Sequence, residues 1–133
     1  MSKTPHICLV EDYPDSRVLI AAVLQSAGME VSVAEDGSAL NQLLQSGVEP
    51  DLFLLDLSLP GEDGVTILHR LRDDPRWEGR PILALTAHAM AGDAERGLAL
   101  GFDGYLTKPI DVGNLSAIIR GYLQHDEGAA GAS

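Results

Sequence analysis

The stretch Asp51-Leu52-Phe53-Leu54-Leu55-Asp56 decides how the rest of the chain is read. It is apolar from Leu52 to Leu55 and ends on a carboxylate. A strand with one wet face alternates apolar and polar residues, so an unbroken run of this length fits a strand covered on both faces. Ile7–Val10 and Pro81–Leu85 have the same character. Glu30-Val31-Ser32-Val33-Ala34 alternates, which suits a strand near a sheet edge, and Gly104–Thr107 is the fifth run.

Each run is followed by a segment with helical periodicity. Leu115, Ile118, Ile119, Tyr122 and Leu123 recur at i, i+3, i+4, i+7 and i+8 and mark the last helix. Val18, Leu19, Ala22 and Val23 mark the first, Leu40, Leu43, Leu44 and Val48 the second, and Ile67, Leu68 and Leu71 the third. Pro14-Asp15-Ser16 and Asp36-Gly37-Ser38 read as helix starts, Asp111 as a cap, and Gly28 and Gly47 as stops. A fourth helix over roughly 89–100 holds Gly92 and Gly97, each costing about 1 kcal/mol relative to Ala. It reads either as a small-residue helix packed close to its neighbour or as a marginal helix able to shift between states. Five strand–helix units imply right-handed crossovers and a parallel, doubly wound α/β sheet with helices on both faces. The tail from His125 to Ser133 has no core-forming pattern and is expected to be disordered.

A chain of 133 residues is the length of one domain and can bury a sizeable core without disulfides. The single cysteine, Cys8, lies in an apolar run and excludes an internal disulfide and a cysteine-based zinc site. A net charge of −11 argues against unaided binding to nucleic acid or an anionic membrane. No apolar stretch reaches the roughly 18 residues of a membrane span, and the N-terminus has no leader pattern, so a cytoplasmic protein is expected.

In an open parallel sheet, ligands bind beyond the carboxyl ends of the strands. Glu11 and Asp12 follow the first run, Asp56 the third, Thr86 the fourth and Lys108-Pro109 the fifth. Singly, each has an ordinary explanation: an acid after a strand often caps the next helix, and a lysine there is often a surface residue. Asp56 is harder to dismiss, because a carboxylate at the edge of the core needs partners. Three converging carboxylates repel one another, and a hard divalent cation relieves this. Mg²⁺ suits one or two carboxylates plus phosphate oxygens, leaving Lys108 and Thr86 to hold an anion beside it. Such a set fits phosphoryl transfer, with an aspartate able to act as nucleophile.

Four motifs, in order and correctly spaced, resemble the receiver domains of two-component response regulators. They are Leu9-Val10-Glu11-Asp12, Leu54-Leu55-Asp56 through Asp63-Gly64, Pro81 through Thr86-Ala87, and Gly104-Tyr105-Leu106-Thr107-Lys108-Pro109. The resemblance covers residues 6 to about 124. The stretch from Leu85 to Met90 looks like receivers associated with hybrid sensor histidine kinases. The resemblance implies a flavodoxin-like (βα)5 fold with strand order 2-1-3-4-5, and a receiver domain over 1–124 followed by the tail 125–133. It implies that Asp56 accepts a phosphoryl group from a phosphohistidine, with Mg²⁺ as cofactor. Asp12 matches the direct metal ligand, Glu11 one acting through water, and the Ser58 carbonyl a third protein ligand. Lys108 matches the lysine that pairs with the phosphoryl group. Thr86 and Tyr105 match the switch pair that relays the change to a protein-binding face of the fourth helix, fifth strand and last helix. Pro109 matches a proline preceded by a cis bond.

Two positions vary from common patterns: Glu11-Asp12 stands where Asp-Asp is frequent, and Tyr13 where many hybrid-type receivers have Asn. Ser58 and His88 flank the site at variable positions. The implied partners are a histidine kinase or histidine phosphotransfer protein and a downstream protein target, with no nucleic acid or membrane, for a monomeric signalling protein rather than an enzyme with an external substrate. The chain ends about nine residues after the last helix, so a stand-alone receiver is expected, with a receiver excised from a hybrid kinase as the alternative. Haloacid-dehalogenase-type phosphatases also use an Asp nucleophile, Mg²⁺ and a lysine, but carry a second Asp where this chain has Ser58. A degenerate receiver is disfavoured because every expected site residue is present. A flavodoxin-like cofactor binder is disfavoured because no phosphate loop follows the first strand.

Overall fold

A computed structural model describes residues 4–57, 64–86, 101–108 and 110–132, with side chains to residue 123. Five strands, β1 (His6–Val10), β2 (Glu30–Ala34), β3 (Leu52–Asp56), β4 (Ile82–Thr86) and β5 (Gly104–Thr107), form one sheet in the order β2-β1-β3-β4-β5. All four pairings are parallel. The described helices are α1 (Pro14–Ser26), α2 (Gly37–Gln45), α3 (Gly64–Arg72) and α4 (Val112–Ala132), with a 3₁₀ turn at Pro75–Trp77. The helix expected over 89–100, Ser58, His88 and the Pro109 peptide lie outside the described residues. Among the described residues no helix is long and apolar enough to cross a membrane.

The apolar runs are apolar throughout because each strand feeds two cores. Cys8, Val10, Phe53, Leu55, Ile82 and Ala84 face one side and pack with Leu40 and Leu44 of α2 and Ile67, Leu68 and Leu71 of α3. Ile7, Leu9, Leu52, Leu54, Leu83 and Leu85 face the other and pack with Ile20 and Leu24 of α1 and Leu115 and Ile119 of α4. Successive strand residues point to opposite faces, so a strand between two helical layers has no polar side. Each fully buried Leu or Ile contributes roughly 1.5–3 kcal/mol. Burial also pushes the Cys8 thiol up to about 12, which leaves it an inert core residue.

The punctuation is realised as hydrogen bonds. At the end of α1, Gly28 N–H donates to Gln25 O (3.0 Å) and Met29 N–H to Leu24 O (3.1 Å), with Gly28 at φ +90°. This is the Schellman closure, and its left-handed residue favours glycine. Gly47, at φ +104°, closes α2 in the same way. The Asp36 carboxylate caps α2 by accepting from Ala39 N–H (2.9 Å), and Asp111 caps α4 by accepting from Gly113 N–H (3.2 Å).

One element differs from the sequence reading. The expected inward stripe of α1 was Val18, Leu19, Ala22 and Val23, yet Val18 is 67% and Leu19 50% exposed, while Ile20 and Leu24 are buried. Residues 18–24 are apolar all round, so periodicity cannot choose a face; packing against β1 and β2 chooses it. The backbone of α4 runs helical to Ala132.

Candidate functional site

Parallel strands all end on the same side of the sheet. Register places Val10 opposite Leu55, Asp56 opposite Leu85 and Thr86 opposite Thr107. The residues that terminate or follow the three central strands therefore meet at one edge. Asp56 and Thr86 are the last residues of β3 and β4, and both are buried. Glu11 follows β1 directly, held by its N–H to Ala34 O (3.0 Å), and its side chain is 0% exposed. Asp12, one residue on, is exposed.

Lys108 bridges the two buried acids. Its Nζ donates to Asp56 Oδ2 at 2.9 Å and forms an ion pair with Glu11 Oε2 at 2.7 Å. Its own backbone N–H donates to Thr86 O at 2.7 Å, which fixes where the side chain starts. The ammonium is thus engaged by two carboxylates. Two buried negative charges need a positive one between them, and Lys108 is the cation within reach. Burial acts to lower the lysine pKa, but Glu11 and Asp56 outweigh it and raise it above the ordinary lysine value. The Glu11 carboxyl is raised as well: burial is the main cause, the nearby Asp56 adds to it, and Lys108 and the Tyr13 N–H oppose it.

One carboxylate oxygen from each of Glu11, Asp12 and Asp56 lies within 4.8 Å of the other two. Octahedral Mg²⁺ holds its ligand oxygens roughly 3 to 4.2 Å apart, a spacing that this upper bound admits. The donor set is all oxygen and strongly anionic, as that ion requires. Thr86 sits beside this cluster, one residue past the partner of Asp56 in β4. Tyr105 lies on β5 opposite Ala84 and is 42% exposed.

Arg17 was not singled out from sequence. Its Nη1 donates to the backbone carbonyls of Glu11 (3.0 Å) and Asp12 (3.4 Å), and so ties α1 to the acidic turn. A lone arginine inside a helix carries no local signal for this; only its position, five residues after Asp12, could have suggested it. The Tyr13 N–H donates to Glu11 Oε1 (3.1 Å), which orients the buried carboxylate.

The raised Glu11 pKa gives a signed expectation for the metal-free protein. The native state binds this proton more tightly than the unfolded chain does. The Glu11 contribution is therefore present at low pH and lost as pH rises from the ordinary glutamate range through the raised native value. Glu11→Gln cannot titrate. Urea unfolding at pH 5, 6 and 7 in chelator should show the variant gaining on the wild type as pH rises. Parallel stability curves would show that Glu11 is not perturbed by folding.

An acidic, lysine-bridged site at the carboxyl edge of a 2-1-3-4-5 parallel sheet, flanked by helices on both faces, defines a flavodoxin-like, CheY-like α/β protein. The chain belongs to the response regulator receiver domain family, which it matches over residues 7–120. The DNA-binding dual master transcriptional regulator RpaA of Synechocystis sp. is 40% identical over 123 residues, covering 92% of this chain and 51% of RpaA. The chemotaxis response regulator CheY4 of Vibrio cholerae superimposes with a TM-score of 0.83 at 26% identity, covering 90% of this chain and 99% of that one. The receiver domain of sensor histidine kinase PA1611 from Pseudomonas aeruginosa PAO1 has a magnesium ion coordinated in its active site cleft. It superimposes with a TM-score of 0.78 at 34% identity, covering 92% of this chain and 99% of that one. The chain spans about half the length of the curated relatives it matches first.

Proposed function

We propose that the protein is a phosphorylation-driven switch in a two-component phosphorelay, with Asp56 as the phosphoryl acceptor. The observation that carries this reading is the buried Asp56 carboxylate, 2.9 Å from Lys108 and clustered with Glu11 and Asp12 at the carboxyl end of the central strand. An Asp56 oxygen attacks the phosphorus of a partner's phosphohistidine. The new O–P bond forms as the N–P bond breaks, and the imidazole leaves with the electron pair. Held by Asp12, Asp56 and the Ser58 carbonyl, with Glu11 acting through water, Mg²⁺ would supply charge neutralisation to the transferring phosphoryl oxygens. Lys108 then exchanges a carboxylate partner for a phosphoryl oxygen. Incubation with acetyl phosphate, with and without Mg²⁺, followed by peptide mapping of the labelled residue, tests this reading.

The donor is a histidine kinase or histidine phosphotransfer protein. Val18 and Leu19, exposed on α1 a short way past the acidic pair, offer such a protein an apolar place to rest. With a net charge of −11, the output contact of this chain is with protein rather than nucleic acid. Residues 1–124 form the receiver unit and 125–133 a disordered tail; among the described residues Leu123 is the last packed against the core. The protein catalyses its own phosphorylation and dephosphorylation and has no external substrate, and it acts as a cytoplasmic monomer.

The change leaves the site through Thr86 and Tyr105. A phosphoryl group adds charge and acceptor oxygens within reach of the Thr86 hydroxyl. Movement of Thr86 toward it opens space that Tyr105, now partly exposed, can fill; its ring suits a buried position and its hydroxyl can find a partner there. A modification shifts such an equilibrium only by its differential contact with the two states, here the Thr86–phosphoryl hydrogen bond. Thr86→Ala should therefore still be labelled on Asp56 but lose most of the phosphorylation-dependent gain in partner affinity. Retention of the full gain would route the signal through other residues.

A further inference from the structure

We infer that Gly64 is a positioning residue for Asp56, an assignment that rests on Asp56 being the phosphoryl acceptor. Gly64 is the first residue of α3 and is buried. A Cβ at this position would stand 2.8 Å from the Asp56 carbonyl oxygen and 3.2 Å from Leu57 Cα. Both atoms are backbone and cannot swing aside as a side-chain tip could. Reaching even 3.4 Å, the short end of ordinary contact, means opening the 2.8 Å gap by about 0.6 Å. By contrast, a Cβ at Gly47 or Gly121 would meet nothing within 4 Å.

Neither partner in this contact can retreat easily. Asp56 ends the middle strand of the sheet, paired with β4, and the next residue, Leu57, donates its N–H to Leu85 O at 3.0 Å. On the other side, α3 is anchored by Ile67, Leu68 and Leu71, all at most 3% exposed. The strain of an added methyl therefore falls on the peptide that carries Asp56. That same peptide sets the 2.9 Å contact to Lys108 and leads into Ser58. The absence of a side chain at 64 lets α3 seat against the Asp56–Leu57 peptide while the carboxylate stays aligned. Misplacing a reacting group by about 1 Å can cost roughly 10²-fold in rate, so a shift of half that size is expected to cost about tenfold.

The test compares labelling rates with acetyl phosphate and saturating Mg²⁺, read by intact mass, across the wild type and four variants. Gly47→Ala is the strain control: it forces a side chain into φ +104° far from the site, and it should label at the wild-type rate. Gly64→Ala should label about tenfold more slowly at saturating acetyl phosphate, with KM changed less than twofold and with a native circular dichroism spectrum. Leu57→Ala, made alone and in the Gly64→Ala background, removes the side-chain atom among the three nearest to the added Cβ, Leu57 Cδ2 at 3.2 Å. It should not restore the rate, because the closest contact is with backbone. Wild-type labelling by Gly64→Ala, rescue by Leu57→Ala, or failure of Gly64→Ala to fold would each overturn the proposal, the last by making Gly64 a requirement of the fold instead of the site. Absence of label from Asp56 in the wild-type protein would instead overturn the reading on which it rests.

Discussion

Asp56→Asn is expected to take up no phosphoryl group under conditions in which the wild-type protein gains one, a loss of at least about 100-fold in rate. Asparagine has nearly the shape of aspartate, and its amide oxygen can still accept from Lys108 Nζ, so the fold should persist. It lacks the anionic oxygen that attacks phosphorus. The substitution also removes one of three carboxylates whose oxygens lie within 4.8 Å of one another, so the metal-free variant should be at least as stable as the wild type. Intact mass after incubation with acetyl phosphate and Mg²⁺ reads the first outcome, and urea unfolding in chelator the second. Equal labelling of the two proteins would remove Asp56 from the acceptor role. Peptide mapping would then show whether the exposed Asp12 takes the group instead.

Lys108→Ala should have the largest effect on stability. It leaves Glu11 and Asp56 buried without their shared cation. Removing one partner of a buried pair costs about 3–5 kcal/mol. Lys108 is itself 22% exposed, and Glu11, with its raised pKa, can take up a proton, so about 2–3 kcal/mol is expected at pH 7 without metal. Mg²⁺ should recover more stability in the variant than in the wild type, since it replaces the missing positive charge. Urea titrations of both proteins, with Mg²⁺ and in chelator, measure this difference. The native lysine pKa is raised, so the stabilising charge is present throughout the neutral range. It is lost only as pH climbs above the ordinary lysine value and through the native one. The variant should still accept a phosphoryl group on Asp56, but NMR shift changes at Met90–Leu98 on phosphorylation should shrink. Equal metal-free stability of variant and wild type would show that the bridge seen at 2.7 and 2.9 Å contributes nothing to the fold.

The parts of this protein legible from sequence are those governed by local periodicity and by chain direction. Leu52–Leu55 and Ile82–Leu85 read as doubly covered strands because burial on both faces leaves no place for a polar residue. Once those strands are parallel, whatever follows them must meet at one edge, which brought Glu11, Asp12, Asp56, Thr86 and Lys108 onto a single list. The motifs supplied the rest of the resemblance, and the family match over residues 7–120 bears out the family.

What the sequence could not settle depends on contacts between residues far apart in the chain. Lys108 reaches Asp56 across 52 positions, and nothing local distinguishes a lysine that pins two acids from one that awaits an anion. Glu11 and Asp12 are adjacent acids whose carboxylate oxygens approach within 4.8 Å, yet one is fully buried and the other exposed, a difference that only the packing around the turn sets. Arg17 bonds to carbonyls that every residue possesses, so its partners carry no sequence signature. On α1, seven consecutive apolar residues gave periodicity no contrast to read, and only docking against the sheet chose Ile20 and Leu24 over Val18 and Leu19. Sequence alone therefore determined which residues assemble at the strand ends, through the period of two and the parallel direction of the chain. Tertiary packing decided which of those charges are buried, which are paired and which face the solvent, because desolvation and Coulomb attraction depend on distances that exist only once the sheet has closed.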